Sequence, residues 1–291
     1  MNDVKNDVLH RIRTQMATFS KGQRQIADYI LENYDKAAFL TASRLGQMTR
    51  LSESTVVRFA AELGYDSYHE MQRALQELIR GRLTSVQRIQ ASHERINGAD
   101  TVGEVMQRDM DTIHAAIENV DRAEFNRAVD MLLQARRIYI LGVRSSSFLA
   151  GYLNFYLHLI CKNVTLVQSF AAGEIYEQMV HIEPGDVLIG ISFPRYSITA
   201  VNAVHFARDR GADVIAITDS TLSPLYAASS AALMVRSDMI SFVDSMAAPL
   251  SLLNALIAEV GRRKPEDVAG IFADMEQVWN KYGVFGRLED E

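Results

Sequence analysis

At 291 residues the chain is about twice the usual domain size of roughly 100 to 200 residues, so two domains are expected rather than one small module. A hydrophobic share of 48% against 23% charged is enough to bury proper cores, which excludes disorder and collagen-like repeats. The net charge of -6, from 30 Lys and Arg against 36 Asp and Glu, excludes a wholly basic wrapping protein, so any nucleic-acid surface must be local.

The first 80 residues predict short helices. Val4, Val8, Ile12 and Met16 recur every four residues and make one apolar stripe. Ser20-Lys21-Gly22-Gln23 is a capping box opening a second helix that carries Ile26, Tyr29 and Ile30 inside. A third helix is expected over 41–50 and a fourth over 52–63, and a fifth starts at the capping box Ser67-Tyr68-His69-Glu70. Residues 1–80 therefore form a compact all-α domain. From 81 to 120 the chain is polar and helical in period, with Val102, Val105, Met106, Met110, Ile113 and Ile117 on one face, and predicts a helical connector.

The pattern then changes. Short continuous apolar runs at 137–142, 164–167, 186–191, 213–218 and 232–235 are separated by helical segments of roughly 10 to 15 residues, the alternation of a parallel sheet buried on both faces. Residues 121–291 are accordingly expected to form a doubly wound α/β domain, closed by helices over 244–260 and 265–278. The start MNDVKNDVLHRIRTQ carries charge where a signal peptide needs an apolar core, and no stretch approaches the roughly 18 apolar residues of a membrane span. Cys161 has no internal disulfide partner, and the histidines at 10, 69, 93, 114, 158, 181 and 205 show no zinc-ligand spacing. The expectation is a soluble, reduced, cytoplasmic chain with no metal and no cofactor.

Leu45, Met48 and Leu51 give the third helix and its turn one apolar side, while Val56, Phe59, Ala60 and Leu63 line the fourth at helical spacing, so the two can pack on each other. Ser52 is a good N-cap, and Gly64 stands where a left-handed residue ends a helix. The other face presents Ser54, Thr55, Arg58 and Ala61: small near its start, with one guanidinium, as suits a helix entering a major groove. Arg11, Arg13, Lys21 and Arg24, then Lys36, Arg44 and Arg50, lie in stretches without acids, and phosphate contacts need such clusters. A helical pair joined by a short turn can equally be a packing motif, and Glu53 would repel phosphate unless it serves the helix dipole or reads a cytosine amine.

The run from Leu45 through Ser52-Glu53-Ser54-Thr55-Val56-Val57-Arg58-Phe59 to Leu63-Gly64-Tyr65 resembles the helix-turn-helix of the MurR/RpiR family of bacterial transcription regulators. That family joins this domain to a sugar-isomerase-type (SIS) domain that binds phosphorylated sugars, and the α/β half fits the description. The resemblance implies that Arg50, Ser52, Ser54, Thr55 and Arg58 read a double-stranded, palindromic operator. It further implies a homodimer or dimer of dimers, because one helix reads only a half-site.

In an open parallel sheet, ligands sit beyond the carboxyl ends of the strands, so the loops after strands are the places to look. Gly142-Val143-Arg144-Ser145-Ser146-Ser147 and Ser192-Phe193-Pro194-Arg195-Tyr196-Ser197 both lead from strand to helix, where backbone N–H groups and hydroxyls can hold an anion or can simply cap. By resemblance to SIS loops, Gly142 and Ser146 match the first motif, and Ser192 and Ser197 match the second. Pro194, Arg195 and Arg144 depart from it: proline offers no N–H, and the arginines add charge. The expected effector is a small anion, a sugar phosphate or sugar acid, held by Arg144, Ser145, Ser146, Ser147, Ser192, Arg195 and Ser197. The competing function is a sugar-phosphate aldose-ketose isomerase with a helical assembly domain, which would need a base such as Glu174, Glu177, His181 or Asp244. No G-x-S-x-G elbow and no Walker-type loop is present, and a DNA-reading domain makes catalysis unnecessary; no catalytic residue is assigned.

Overall fold

The computed structural model describes residues 8–80, 84, 86–89, 100–168, 173–238 and 243–285. They divide into two compact units. The first holds the chain up to Gln107 together with residues 243–245, and the second holds the remainder from Arg108. The boundary falls inside a helix, Thr101–Asn119, within the stretch read as a connector.

The first unit comprises α1 (Val8–Gln15), α2 (Lys21–Glu32), α3 (Tyr34–Ala37), α4 (Ala42–Thr49), α5 (Glu53–Glu62) and α6 (Tyr68–Arg80). Their apolar stripes meet in a core of Ile12, Ile26, Ile30, Leu45, Phe59, Leu63, Met71 and Leu75, with the Phe19 and Phe59 rings 5.2 Å apart. Val8 and Ile12 of the first stripe are buried, and Val4 lies outside the described residues. The capping box of α2 is complete, Ser20 Oγ accepting from Gln23 N–H and Gln23 Oε1 from Ser20 N–H. At α6 the box is shifted by one residue: Ser67 Oγ accepts from Glu70 N–H, but the Glu70 carboxylate takes the N–H of Asp66 at 2.7 Å. The four-residue α3 is an addition to the predicted elements. Met48 corrects the expected packing of α4, being 50% exposed while Thr49 is buried in its place. A two-turn helix buries one i, i+4 pair, here Leu45 and Thr49, and the Thr49 hydroxyl donates to the Leu45 carbonyl at 2.8 Å, so its burial leaves nothing unsatisfied.

After α7 (Thr101–Asn119) and α8 (Arg122–Gln134) the second unit runs β1 (Ile138–Gly142), α9 (Ser146–Ile160), β2 (Val164–Val167), α10 (Glu174–Gln178), β3 (Val187–Ile191), α11 (Ile198–Asp209), β4 (Asp213–Thr218), a 3-10 turn at Tyr226–Ala228, β5 (Ala231–Met234), α12 (Ala247–Arg262) and α13 (Pro265–Tyr282). The strands pair in parallel in the order β2-β1-β3-β4-β5. Alternate strand residues serve opposite faces: Ile138, Ile140, Ile189 and Ile215 join one core with α8, α9 and α12, and Tyr139, Leu141, Leu188 and Val214 join the other with α10 and α11. Burial on both sides is why these strands read as unbroken apolar runs. Asp186, expected in β3, precedes it with no exposed surface because its carboxylate is held by Arg136 Nε and Nη2 at 3.0 Å each.

On α12, Glu259 accepts from Arg262 Nε and Arg263 Nε at 2.7 Å each, and Arg263 reaches on to Asp130 of α8 at 2.6 Å. Hydrogen bonds from Arg262 and Arg263 hold the Glu259 carboxyl at about 2, below its ordinary 4.5. A carboxyl whose folded pKa is depressed contributes stability that is complete above its unfolded pKa and lost as pH falls through the folded one. Glu259→Gln should therefore be less stable than the wild type at neutral pH and should lose less stability between pH 4.5 and about 2. Denaturant melts at stepped pH check this, and equal losses in the two proteins would contradict it.

Candidate functional site

In the first unit, α4 and α5 form a helix-turn-helix whose tightness depends on Gly46. A Cβ there would stand 2.7 Å from the Leu51 carbonyl oxygen, and without one the Leu51 N–H reaches the Gly46 carbonyl at 2.8 Å. Arg50 takes the left-handed conformation, φ 56°, so the chain reverses in three residues. Ser52 caps α5, its Oγ accepting from Thr55 N–H, and lies 2.9 Å from Ser54 Oγ and 2.8 Å from Thr55 Oγ1. Val56, Phe59 and Ala60 turn into the core, and Ser52, Ser54 and Arg58 are exposed. Arg58 Nε donates to the Ser54 carbonyl at 3.2 Å, and its terminal nitrogens have no partner among the described residues. A hydroxyl cluster and one guanidinium thus share the first turns of α5, beside the exposed Arg50. Glu53 is exposed in the same first turn, where the helix dipole favours an acid.

The basic residues that sequence grouped together separate into two kinds. Arg11 donates to the Leu63 carbonyl at 3.1 Å and lies over the Tyr65 ring at 4.9 Å, and Arg24 donates to the carbonyls of Phe19 and Ala17. These two finish helix ends. Arg13, Lys21, Lys36 and Arg44 are exposed, with Arg44 bonded to Gln47 Oε1 at 2.8 Å.

In the second unit the strand order reverses between β1 and β3, with β2 on one side of β1 and β3 on the other. That is the topological switch point, and the two hydroxyl-rich loops are the ones that follow these two strands. Gly142 ends β1 under the first turn of α9, where a Cβ would collide with the Ser146 carbonyl. Arg144 is exposed and left-handed, φ 59°. The three serines are not equivalent: Ser146 is buried, Ser147 Oγ donates back to the Arg144 carbonyl at 2.6 Å, and Ser145 is exposed with its hydroxyl unused for capping. The N–H groups of Ser147 and Phe148 are taken by local turns, and those of Ser145 and Ser146 have no partner among the described residues.

The second loop is braced from β4. Ser192 is buried, its N–H donating to the Ile217 carbonyl, its carbonyl accepting from Thr218 Oγ1 at 2.8 Å, and its Oγ accepting from Ser197 N–H. Thr218 Oγ1 also lies 2.8 Å from Ser223 Oγ, and Tyr196 OH donates to Asp219 Oδ1 at 2.7 Å. Burial and the Asp219 charge push the Tyr196 phenol up, so it stays a donor. Arg195 is exposed and has no partner among the described residues. Tyr196 stands in the second loop and Thr218 in the fourth apolar run, neither with a role assigned from sequence, and Asp219 and Ser223 follow the fourth strand, where the same rule points.

Of the candidate bases, Glu174 and Glu177 lie on the short α10. His181 lines a hollow of about 530 Å³ with Arg136, Arg137, Glu183 and Arg210 at the other, amino-terminal edge of the sheet. Asp244 belongs to the first unit, where Arg88 holds it. No helix among the described residues is long and apolar enough to cross a membrane.

Family models match both units: a helix-turn-helix domain of the rpiR family over residues 6–80 and a SIS domain over residues 131–259. The chain is 30% identical over 226 residues to the uncharacterized HTH-type transcriptional regulator YfhH of Escherichia coli K12, covering 75% of this chain and 77% of that protein. It is 26% identical over 270 residues to the HTH-type transcriptional regulator HexR of Pseudomonas aeruginosa, covering 90% and 91%. Its fold is similar to that of Vibrio vulnificus NanR complexed with ManNAc-6P, with a TM-score of 0.59 at 24% identity over 97% of this chain and 100% of that one.

Because a Cβ on Gly142 has nowhere to go but into backbone, Gly142→Ala should destabilise the second unit by about 1–3 kcal/mol. Denaturant unfolding checks this, and an unchanged midpoint would mean that the turn opens freely.

Proposed function

The chain belongs to the RpiR family of helix-turn-helix transcriptional regulators, and from that premise we propose that its SIS unit senses a small anionic metabolite and thereby controls operator binding by the first unit. It is a regulator of transcription and not an enzyme. The observation that carries the proposal is the coincidence of the two hydroxyl-rich loops with the switch point of the sheet, in a chain whose other unit presents Ser52, Ser54, Thr55 and Arg58 on one exposed helix start.

A phosphorylated sugar or sugar acid suits the loops. The N–H groups of Ser145 and Ser146 and the hydroxyls of Ser145 and Ser197 are donors for an anion, and Arg144 and Arg195 stand exposed on the same two loops. Ser192 holds the second loop in shape from below, Ser146 is buried, and Ser147 Oγ keeps lone pairs free to accept from a sugar hydroxyl. The ManNAc-6P bound by NanR is a ligand of this class. A homodimer or dimer of dimers on a palindrome follows from the reach of one recognition helix, which spans a half-site. Phe148, Phe155 and Tyr156 of α9 are exposed at 81%, 61% and 37%, an aromatic face that a second copy would cover. Such a chain works in the cytoplasm, where the DNA is.

The first test is DNA selection. Wild-type protein should retain palindromic genomic fragments with two chains per duplex and an affinity that falls steeply with salt, whereas Arg58→Ala should fold normally and lose about 1–3 kcal/mol of discrimination against random duplex. Equal discrimination by the two proteins would remove Arg58 as a base reader. The second test is a thermal-shift panel of sugar phosphates and sugar acids. A compound bound only by the native state raises the melting temperature, and Arg195→Ala should abolish that rise while leaving operator affinity within about three-fold. Arg195→Lys should recover part of it, because an ammonium cannot reproduce the fork of a guanidinium. An undiminished shift in Arg195→Ala would leave the backbone and serines alone as the anion site.

A further inference from the structure

Residues 243–245 stand in sequence between β5 and α12 of the second unit and yet pack with the first. Asp244 makes a buried contact there: both of its carboxylate oxygens accept from Arg88 Nη1, at 3.0 and 2.9 Å, with the two side chains 6% and 15% exposed. Removing one member of a buried pair leaves the other charge uncompensated, so losing the contact is costly.

Described residues on either side of the segment are anchored in the second unit. On one side Val235, just past β5, is buried with its N–H on the Thr218 carbonyl at 2.8 Å, and Ser237 has no exposed surface. On the other, Ala248 and Leu252 of α12 are buried in the core of the sheet. Because every strand is parallel, the end of β5 lies on the same edge as the loops after β1 and β3, and Thr218 braces the second of those loops through Ser192. On the other side Asp244 stands only three positions before Ala247, the first residue of α12.

From Arg88 the connection continues through the first unit. Residues 86–89 form one helical turn, capped by Thr84 and Gln87, which exchange bonds at 2.8 and 3.2 Å. Gln87 Nε2 donates to Asp35 of α3 at 2.8 Å. The chain leaving α3 is gripped by α6, with Tyr68 OH and Gln72 Nε2 on the Leu40 carbonyl and Gln76 Nε2 on the Ala38 carbonyl, each at 2.7 Å. Leu40 precedes Thr41, the residue that caps α4 of the helix-turn-helix.

We propose that the Arg88–Asp244 pair is a latch through which the effector-sensing edge of the sheet and the DNA-reading unit alter each other's state. This rests on the regulator reading above and names the contact that transmits the signal. Coupling between two sites is reciprocal, so DNA alone is a sufficient probe.

The experiment uses full-length protein, a genomic fragment selected by the wild type, and hydrogen exchange of residues 247–252. In the wild type, DNA should slow exchange there by about five-fold or more. Asp244→Asn should bind the same fragment within about three-fold and lose that slowing, and Arg88→Met, which removes the other partner, should do the same. Arg88→Asp combined with Asp244→Arg should recover part of it, an outcome that a merely destabilised fold would not give. The latch is overturned if DNA slows exchange equally in wild type, Asp244→Asn and Arg88→Met, or if bound DNA leaves residues 247–252 of the wild type unchanged. If the wild type retains no fragment, the regulator reading fails and the latch falls with it.

Discussion

A parallel sheet buried on both faces leaves its chain few ways to run. Each strand must satisfy its polar backbone against its neighbours and then return by a crossover that covers a face, so every strand ends on one edge. Here that constraint puts the loops after β1, β3 and β4 on the same side, and the reversal of order between β1 and β3 leaves a crevice where no crossover closes it. The placement of the two hydroxyl-rich loops is a consequence of this wiring. Gly142 lets α9 start directly over the end of β1, and Thr218 and Ser223 brace Ser192 from the neighbouring strand.

The DNA-reading unit depends on a different economy. Its helices are short, so each can bury only a narrow stripe, and the polar work goes to the turns between them. Gly46 admits the Leu51 backbone, Ser52 gathers Ser54 and Thr55, and Thr49 satisfies its own hydroxyl inside the core. Some guanidinium donors are used in this way. Arg11 and Arg24 give hydrogen bonds to backbone carbonyls, so fewer of their N–H groups are available to phosphate although both keep their charge.

Two buried carboxylates show how similar chemistry serves different ends. Asp186 is pinned by Arg136 at the amino-terminal edge of the sheet, where both partners belong to the second unit and the contact simply fixes the start of β3. Asp244 lies in a segment whose covalent neighbours belong to one unit and whose packing belongs to the other. A buried pair stabilises little relative to apolar packing of the same volume, but breaking it leaves an uncompensated charge.

Local periodicity and capping were legible in the sequence by itself. The box at Ser20, the cap at Ser52 and the apolar runs of all five strands follow from interactions within a few residues, which is why their bounds agree with the structure to within one or two positions, whereas α13 runs on to Tyr282 and the expected 10-to-15-residue helices shrink to the short α10 before β3 and a 3-10 turn before β5. The residues of the two hydroxyl-rich loops and of the α5 face were also visible, because chemistry of that kind is confined to loop and helix-start positions. What only the tertiary structure decided depends on contacts between distant parts of the chain: the strand order that makes β1 and β3 the switch point, the burial of Ser146, the alliance of Tyr196 with Asp219, and the capture of Asp244 by a residue 156 positions away. No window of the sequence contains both members of such pairs, and it is packing that chooses between the many partners a lone Asp, Arg or Tyr could take.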